Sequence, residues 1–91
     1  MLSFLPKNPS EMQEEIKTKF RAKRKALRLT QIELATQSAV SLGSLKRFEY
    51  SGQISLESLL KLAFVLECLG DFEGVCEKGE EMPKNIEEIV G

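Results

Sequence analysis

Two helix-start signals stand close together in the middle of the chain, at Thr30 and Ser41, and the space between them holds only a short helix and a turn. Thr30 and Glu33 form the pattern Thr-x-x-Glu. In such a capping box the hydroxyl accepts from the third helical N–H, and the glutamate reaches back to the N-cap N–H. The helix that begins there has Leu34 and Ala35 as its apolar side. Gln37-Ser38-Ala39-Val40 is too short and too poorly periodic to prolong it, so a turn is predicted. Ser41 then caps a second helix, on which Leu45, Phe48 and Glu49 share one side while Lys46 and Arg47 lie on the other. Thr30–Glu49 therefore predicts two short helices braced against each other. The second has a basic outer face, a shape and charge that suit a DNA major groove.

The flanking chain predicts further helices. Residues 1–9, with Pro6 and Pro9, read as an irregular arm, and Ser10 as the cap of a first helix with Glu11, Glu14 and Glu15 in its first turns. Ile16, Phe20, Arg24 and Leu27 follow at helical spacing, which puts the charged Arg24 on the apolar face. Glu49 is misplaced in the same way on its own helix. Two readings stand: the two residues pair and clamp the helices together, or Arg24 snorkels to water while Glu49 sits at a solvated helix end. Between Lys17 and Arg28 there are seven basic residues and no acid, which reads either as phosphate neutralisation beside a groove or as a soluble helix end with cations at its favourable pole.

Ser51-Gly52 supplies a stop, and Ser55 caps a fourth helix expected to run from Leu56 to about Leu69. Apolar residues cover nearly its whole circumference, so part of it is expected to be central in the fold or at a subunit interface. Asp71 is expected to cap a last short helix holding Phe72 and Val75. The resulting architecture is all-α with five helices: an arm over 1–9, a domain over 10–76 with its motif at about 30–50, and a short acidic C-terminal tail over 77–91. Ile86, Ile89 and Val90 make that tail a candidate dimer or partner contact.

At 91 residues one domain is expected, and 42% hydrophobic with 30% charged residues is an ordinary globular balance. A net charge of −1 argues weakly against a nucleic-acid binder, but its distribution is uneven: residues 1–53 carry a balance of +5 and residues 71–91 of −5. One pole is suited to DNA and the other to a protein partner. Cys68 and Cys76 occur without any His, which excludes a mixed Cys/His zinc site, and both are expected to be reduced, buried thiols rather than a disulfide. Met1–Leu5 is interrupted by Pro6 with no basic leader, and Leu59–Leu69 is too short to cross a bilayer and contains Lys61 and Glu67. A cytoplasmic protein, associated with the nucleoid through DNA, is expected. With no His, no Gly-rich phosphate loop and no Ser or Cys beside a base, neither enzyme activity nor a cofactor or metal is expected.

For DNA contact, Gln31 is placed to hold a phosphate at the start of its helix, with an exposed glutamine in a capping turn as the plainer reading. On the second helix the candidates are Leu42, Gly43, Ser44, Lys46 and Arg47. Leu42 suits a thymine methyl, Gly43 a close backbone approach, Arg47 a bidentate guanine contact and Lys46 a phosphate. One module of this size reads few base pairs, so a homodimer is expected.

The order Thr30, Gln31, Leu34, Ala35, then Ser41, Leu45, Phe48 and Glu49 resembles the phage-repressor-like (Xre-type) helix-turn-helix family. That family carries Thr/Ser-Gln-x-x-Leu-Ala, a turn, and Ser-x-x-x-Leu/Ile-x-x-Phe/Ile-Glu. The resemblance spans roughly residues 12–70 and implies a lambda-repressor-like domain, an Arg24–Glu49 pair, and a transcriptional regulator that binds a pseudo-palindromic operator on double-stranded DNA as a dimer, most simply as a repressor. The family often has Gln, Ser, Thr or Arg just after the cap, where this chain has Leu42 and Gly43. Leu-Gly-Ser-Leu-Lys-Arg-Phe-Glu, Leu42 to Glu49, looks like the HipB-like antitoxins, which implies a toxin-kinase partner of the HipA-like kind. The alternative function is accordingly an interaction module that neutralises such a kinase.

Overall fold

Four α-helices and a closing 3-10 turn make up the regular structure of residues 7–77, the part of the chain that the computed structural model describes. No strand occurs among the described residues. Residues 1–6 and 78–91, which hold most of the expected arm and the apolar positions Ile86, Ile89 and Val90, lie outside them.

Helix α1 runs over Pro9–Ala26 and is capped by Asn8 rather than by Ser10. The Glu11 N–H donates to Asn8 Oδ1 at 2.8 Å, and the Asn8 N–H donates to Glu11 Oε1 at 3.3 Å. Pro9 occupies the first helical position, where a missing N–H leaves nothing unsatisfied, so it starts the helix instead of delaying it. At the other end the Leu29 N–H donates to the Arg24 carbonyl and the Arg28 N–H to that of Lys25, with Arg28 in the left-handed region at φ 61°.

Helix α2, Gln31–Ser38, opens with the reciprocal Thr30/Glu33 capping box, its bonds 3.0 and 2.8 Å long. It ends at Ala39, whose φ of 63° turns the chain sharply. Helix α3, Leu42–Ser51, starts from Ser41, whose hydroxyl accepts from the Ser44 N–H at 3.1 Å. It stops at Gly52, with a φ of 83° that a side chain would resist. Helix α4, Leu56–Val65, is capped by Ser55 and is shorter than expected. Glu67 adopts φ 64°, and the Cys68 N–H reaches back to the Ala63 carbonyl at 2.9 Å, which closes the helix before Leu69. Leu69–Gly74 forms the 3-10 turn; Asp71 lies inside it and does not cap it.

The core joins Phe20 of α1, Leu34 and Ala35 of α2, Val40 of the turn, Leu45 and Phe48 of α3, and Leu62, Ala63 and Leu66 of and just after α4. The apolar circumference of α4 is thus divided. One side is fully buried at the centre, while Leu56 and Phe64 on the outside are 67% and 71% exposed. Cys68 is half-buried and Cys76 is exposed, so the expectation of two buried thiols holds for neither in full; the two are not bridged. Burial, with Asp71 nearby, pushes the Cys68 thiol pKa up. No helix among the described residues is long and apolar enough to cross a membrane.

Candidate nucleic-acid interface

The surface of α3 is held by α1. Arg24 and Glu49, whose side chains are only 9% and 6% exposed, form a two-pronged contact: Arg24 Nε donates to Glu49 Oε2 at 2.7 Å and Nη2 to Oε1 at 3.0 Å. Such a fork fixes orientation as well as distance. Arg24 Nη1 also donates to the Leu29 carbonyl at 2.9 Å, so one guanidinium ties the end of α1, the approach to α2 and the flank of α3 together. Below it the Phe20 and Phe48 rings meet edge to face at 5.7 Å. The C-terminal end of α3 is also tethered: Lys17 Nζ donates to the Tyr50 carbonyl and Gln13 Nε2 to that of Gly52, each at 3.2 Å. A lysine at this pole is favoured by the helix dipole as well as by the hydrogen bond.

With Leu45, Phe48 and Glu49 turned inward, helical geometry decides what α3 presents outward. The exposed residues are Gly43, Ser44, Lys46, Arg47 and Tyr50. Gly43 and Tyr50, seven apart, lie along the crest, with Lys46 on one shoulder and Arg47 on the other. Lys46 and Tyr50 line a furrow with Gln31 and Arg21, floored by Glu49. Arg47 and Ser44 line a second furrow with Gln53, Ser55 and Ser58 at the start of α4. A Cβ added at Gly43 would meet nothing within 4 Å. The Ser44 hydroxyl already bonds that of Ser41 at 2.9 Å.

Two expected contact residues are placed differently from the rest. Leu42 is half-buried and packs against the core, beside the crest rather than on it. Gln31 is half-buried, and its Nε2 donates to Glu49 Oε1 at 2.9 Å, so its amide extends the Arg24–Glu49 contact to α2. Burial by itself raises the Glu49 pKa, but the hydrogen bonds from Arg24 and Gln31 outweigh it and hold the carboxyl below its ordinary value.

The basic run of α1 also separates into distinct roles. Lys17 is paired with Glu14 and the α3 carbonyl, Lys19 with Glu15, and Arg24 with Glu49. Arg21, Lys23, Lys25 and Arg28 make no side-chain hydrogen bond or ion pair among the described residues. Arg21 and Lys25 line a furrow with Lys17 and Glu49 beside α3, whereas Lys23 lies on another side of α1, near Cys68 and Phe72. Tyr50, 85% exposed on the crest, is the residue that the sequence reading passed over. Its spacing of three and four from Arg47 and Lys46 was the available signal.

Neither the family models, nor the curated proteins, nor the solved structures contain a match to this chain.

Proposed function

We propose that this chain is a non-enzymatic, sequence-specific DNA-binding regulator, a repressor that inserts α3 into the major groove of a pseudo-palindromic operator as a homodimer. In this reading Gln31–Ser51 is a helix-turn-helix of the lambda-repressor-like kind. The observation that carries it is the crest of α3: Gly43, Ser44 and the aromatic Tyr50 with Lys46 and Arg47 at its shoulders, on a helix clamped to α1 through the buried Arg24–Glu49 fork. A short helix enters a groove in one register only if its scaffold holds it rigidly. Arg47 reads a base edge, and Arg21, Lys25 and Lys46 meet the phosphates of the flanking strand.

The test is a salt titration by fluorescence anisotropy with promoter duplex from the protein's own operon and with random duplex. With three phosphate-facing cations per copy, a bound dimer predicts a log–log slope of about −5 at 0.9 per contact. Equal, feeble binding to both duplexes refutes the proposal. A second reading, an antitoxin-like module that neutralises a HipA-like kinase, draws on the same crest, because Gly43 and the half-buried Leu42 leave few base-reading groups in the first turn. Replacing Lys46 and Arg47 by Ala separates the two readings: the groove reader loses DNA, whereas an interaction module that does not read DNA through this crest shows no change in the duplex titration.

A further inference from the structure

We infer, as a consequence that rests on the DNA-binding reading, that the Tyr50 hydroxyl donates to a backbone phosphate of the strand that Arg21 and Lys46 neutralise. Tyr50 stands 85% exposed on the crest of α3. A lone exposed aromatic needs no explanation by itself. This one, however, shares a furrow with groups brought together from three helices: Arg21 of α1, Gln31 of α2, and Lys46 and Glu49 of α3. Lys46 and Tyr50, four apart, flank it from the same side of their helix.

The groups lining the furrow divide into those already engaged and those left free. Glu49, its one acid, accepts two hydrogen bonds from Arg24 and one from the Gln31 amide, and its side chain is only 6% exposed. Arg21 lies close enough for its charge to help keep that carboxyl ionised, which places the guanidinium at the edge of the furrow. Arg21, Lys46 and the Tyr50 hydroxyl make no side-chain hydrogen bond or ion pair among the described residues. What remains free is therefore two cations and a hydroxyl, all able to donate, around a carboxylate that Arg24 has neutralised. Such a set suits an anion with several acceptor oxygens. The furrow is open along its length and lined by charged and polar groups, so a strand can cross it, whereas a small ligand would not be enclosed.

Position along α3 selects a phosphate over a base edge. A recognition helix meets base edges with its N-terminal residues. Tyr50 lies seven residues beyond Gly43, about 10 Å farther along the axis and toward the rim of the groove. Arg21 and Gln31, which share its furrow, belong to helices that stay outside the groove when α3 enters it. The side of Tyr50 turned toward them thus faces the groove wall, where the backbone runs. Its placement is also fixed: Lys17 Nζ donates to the Tyr50 carbonyl at 3.2 Å, which ties the last turn of α3 to α1. A tyrosine has only two side-chain torsions to order, so its hydroxyl is presented at small entropic cost.

The test is an anisotropy titration of the full chain and of Tyr50→Phe, which removes one oxygen from an exposed side chain and leaves the fold intact. Tyr50→Phe is expected to weaken binding about tenfold per copy. The factor should be the same on promoter and random duplex, because a phosphate contact carries no sequence information. The salt slope should not change, since the lost group is uncharged, whereas Arg21→Ala should reduce it by about 1.8 for a dimer at 0.9 per cation. Promoter duplexes carrying one neutral methylphosphonate at a time in each half-site then locate the contact. At one position the replacement should cost the wild type about tenfold and Tyr50→Phe clearly less. Promoter preference together with an unchanged affinity of Tyr50→Phe overturns the inference and leaves the regulator reading standing. A loss confined to the promoter and tied to one base pair also overturns it, making Tyr50 a base reader. Coupling between Tyr50 and one methylphosphonate without promoter preference keeps the phosphate contact and removes the regulator reading, and binding to neither duplex overturns both.

Discussion

Replacing Arg24 by Met leaves Glu49 buried with only the Gln31 amide as a bonded partner, because the fork from Arg24 supplies its other two hydrogen bonds. Breaking one side of a buried ion pair costs about 3–5 kcal/mol. The surviving Gln31 bond keeps the loss near the lower end, about 3 kcal/mol. A domain of this size has a total stability near the lower end of the natural range, about 5 kcal/mol, so the variant retains a small margin and its folded-to-unfolded ratio falls more than a hundredfold. The double variant Arg24→Met/Glu49→Leu removes the stranded charge and fills its volume with carbon. It is expected to recover most of the loss, within about 1 kcal/mol of the parent. Urea unfolding at pH 7, followed by far-UV circular dichroism with equal slopes, measures both. A single variant that loses less than about 1 kcal/mol, or a double variant less stable than the single, refutes the reasoning. The same contact sets a pH dependence. The folded Glu49 pKa lies below its ordinary 4.5, so the unfolded chain binds more protons in that window. The contribution is complete above about pH 5 and is lost as pH falls through the folded value. The urea midpoint should fall on acidification below pH 4.5, and this component should be missing from Glu49→Gln.

Two further substitutions separate folding from binding. Gly43→Ala adds a methyl where nothing stands within 4 Å and replaces a poor helix former, so stability should rise by about 0.5 kcal/mol. If the crest backbone approaches DNA, promoter affinity should fall at least tenfold (a loss of about 1.4 kcal/mol) in the same anisotropy assay; unchanged affinity would show that this backbone stands off the groove. Ala39→Gly relieves a left-handed residue at the exposed end of α2, where an L side chain costs about 1–2 kcal/mol and the entropy of glycine returns part of that. The melting temperature should rise by about 3–6 °C, and a fall would refute the strain argument.

The sequence already carried the starts of three helices, because a cap acts within four residues: Thr30 with Glu33, Ser41 and Ser55 all open the elements predicted from them. Periodicity alone also showed that Arg24 and Glu49 occupy apolar faces. Where these local rules competed, the outcome was harder to read. Asn8 and Ser10 are both good caps, and Pro9 between them fits the first turn of the helix as readily as it fits a preceding arm. The end of α4 at Val65 depends on Glu67 taking a conformation that its side chain disfavours, which no residue type announces.

What each side chain does, by contrast, was settled by how the helices dock. Lys17 hydrogen-bonds the end of α3, whereas Arg21 lines a furrow beside it without bonding, although both belong to one basic run. Gln31 turns to Glu49, Leu42 sinks toward the core and Tyr50 rises on the crest, because the rotation of α3 about its own axis is set by the Phe20–Phe48 contact and the Arg24–Glu49 fork. Capping and helical period are properties of neighbours along the chain and can be read from it directly. The partition of α1 cations into tethers and free charges, and of α4 into a buried and an exposed apolar side, depends on contacts between residues far apart in sequence. Those contacts exist only once the helices have packed.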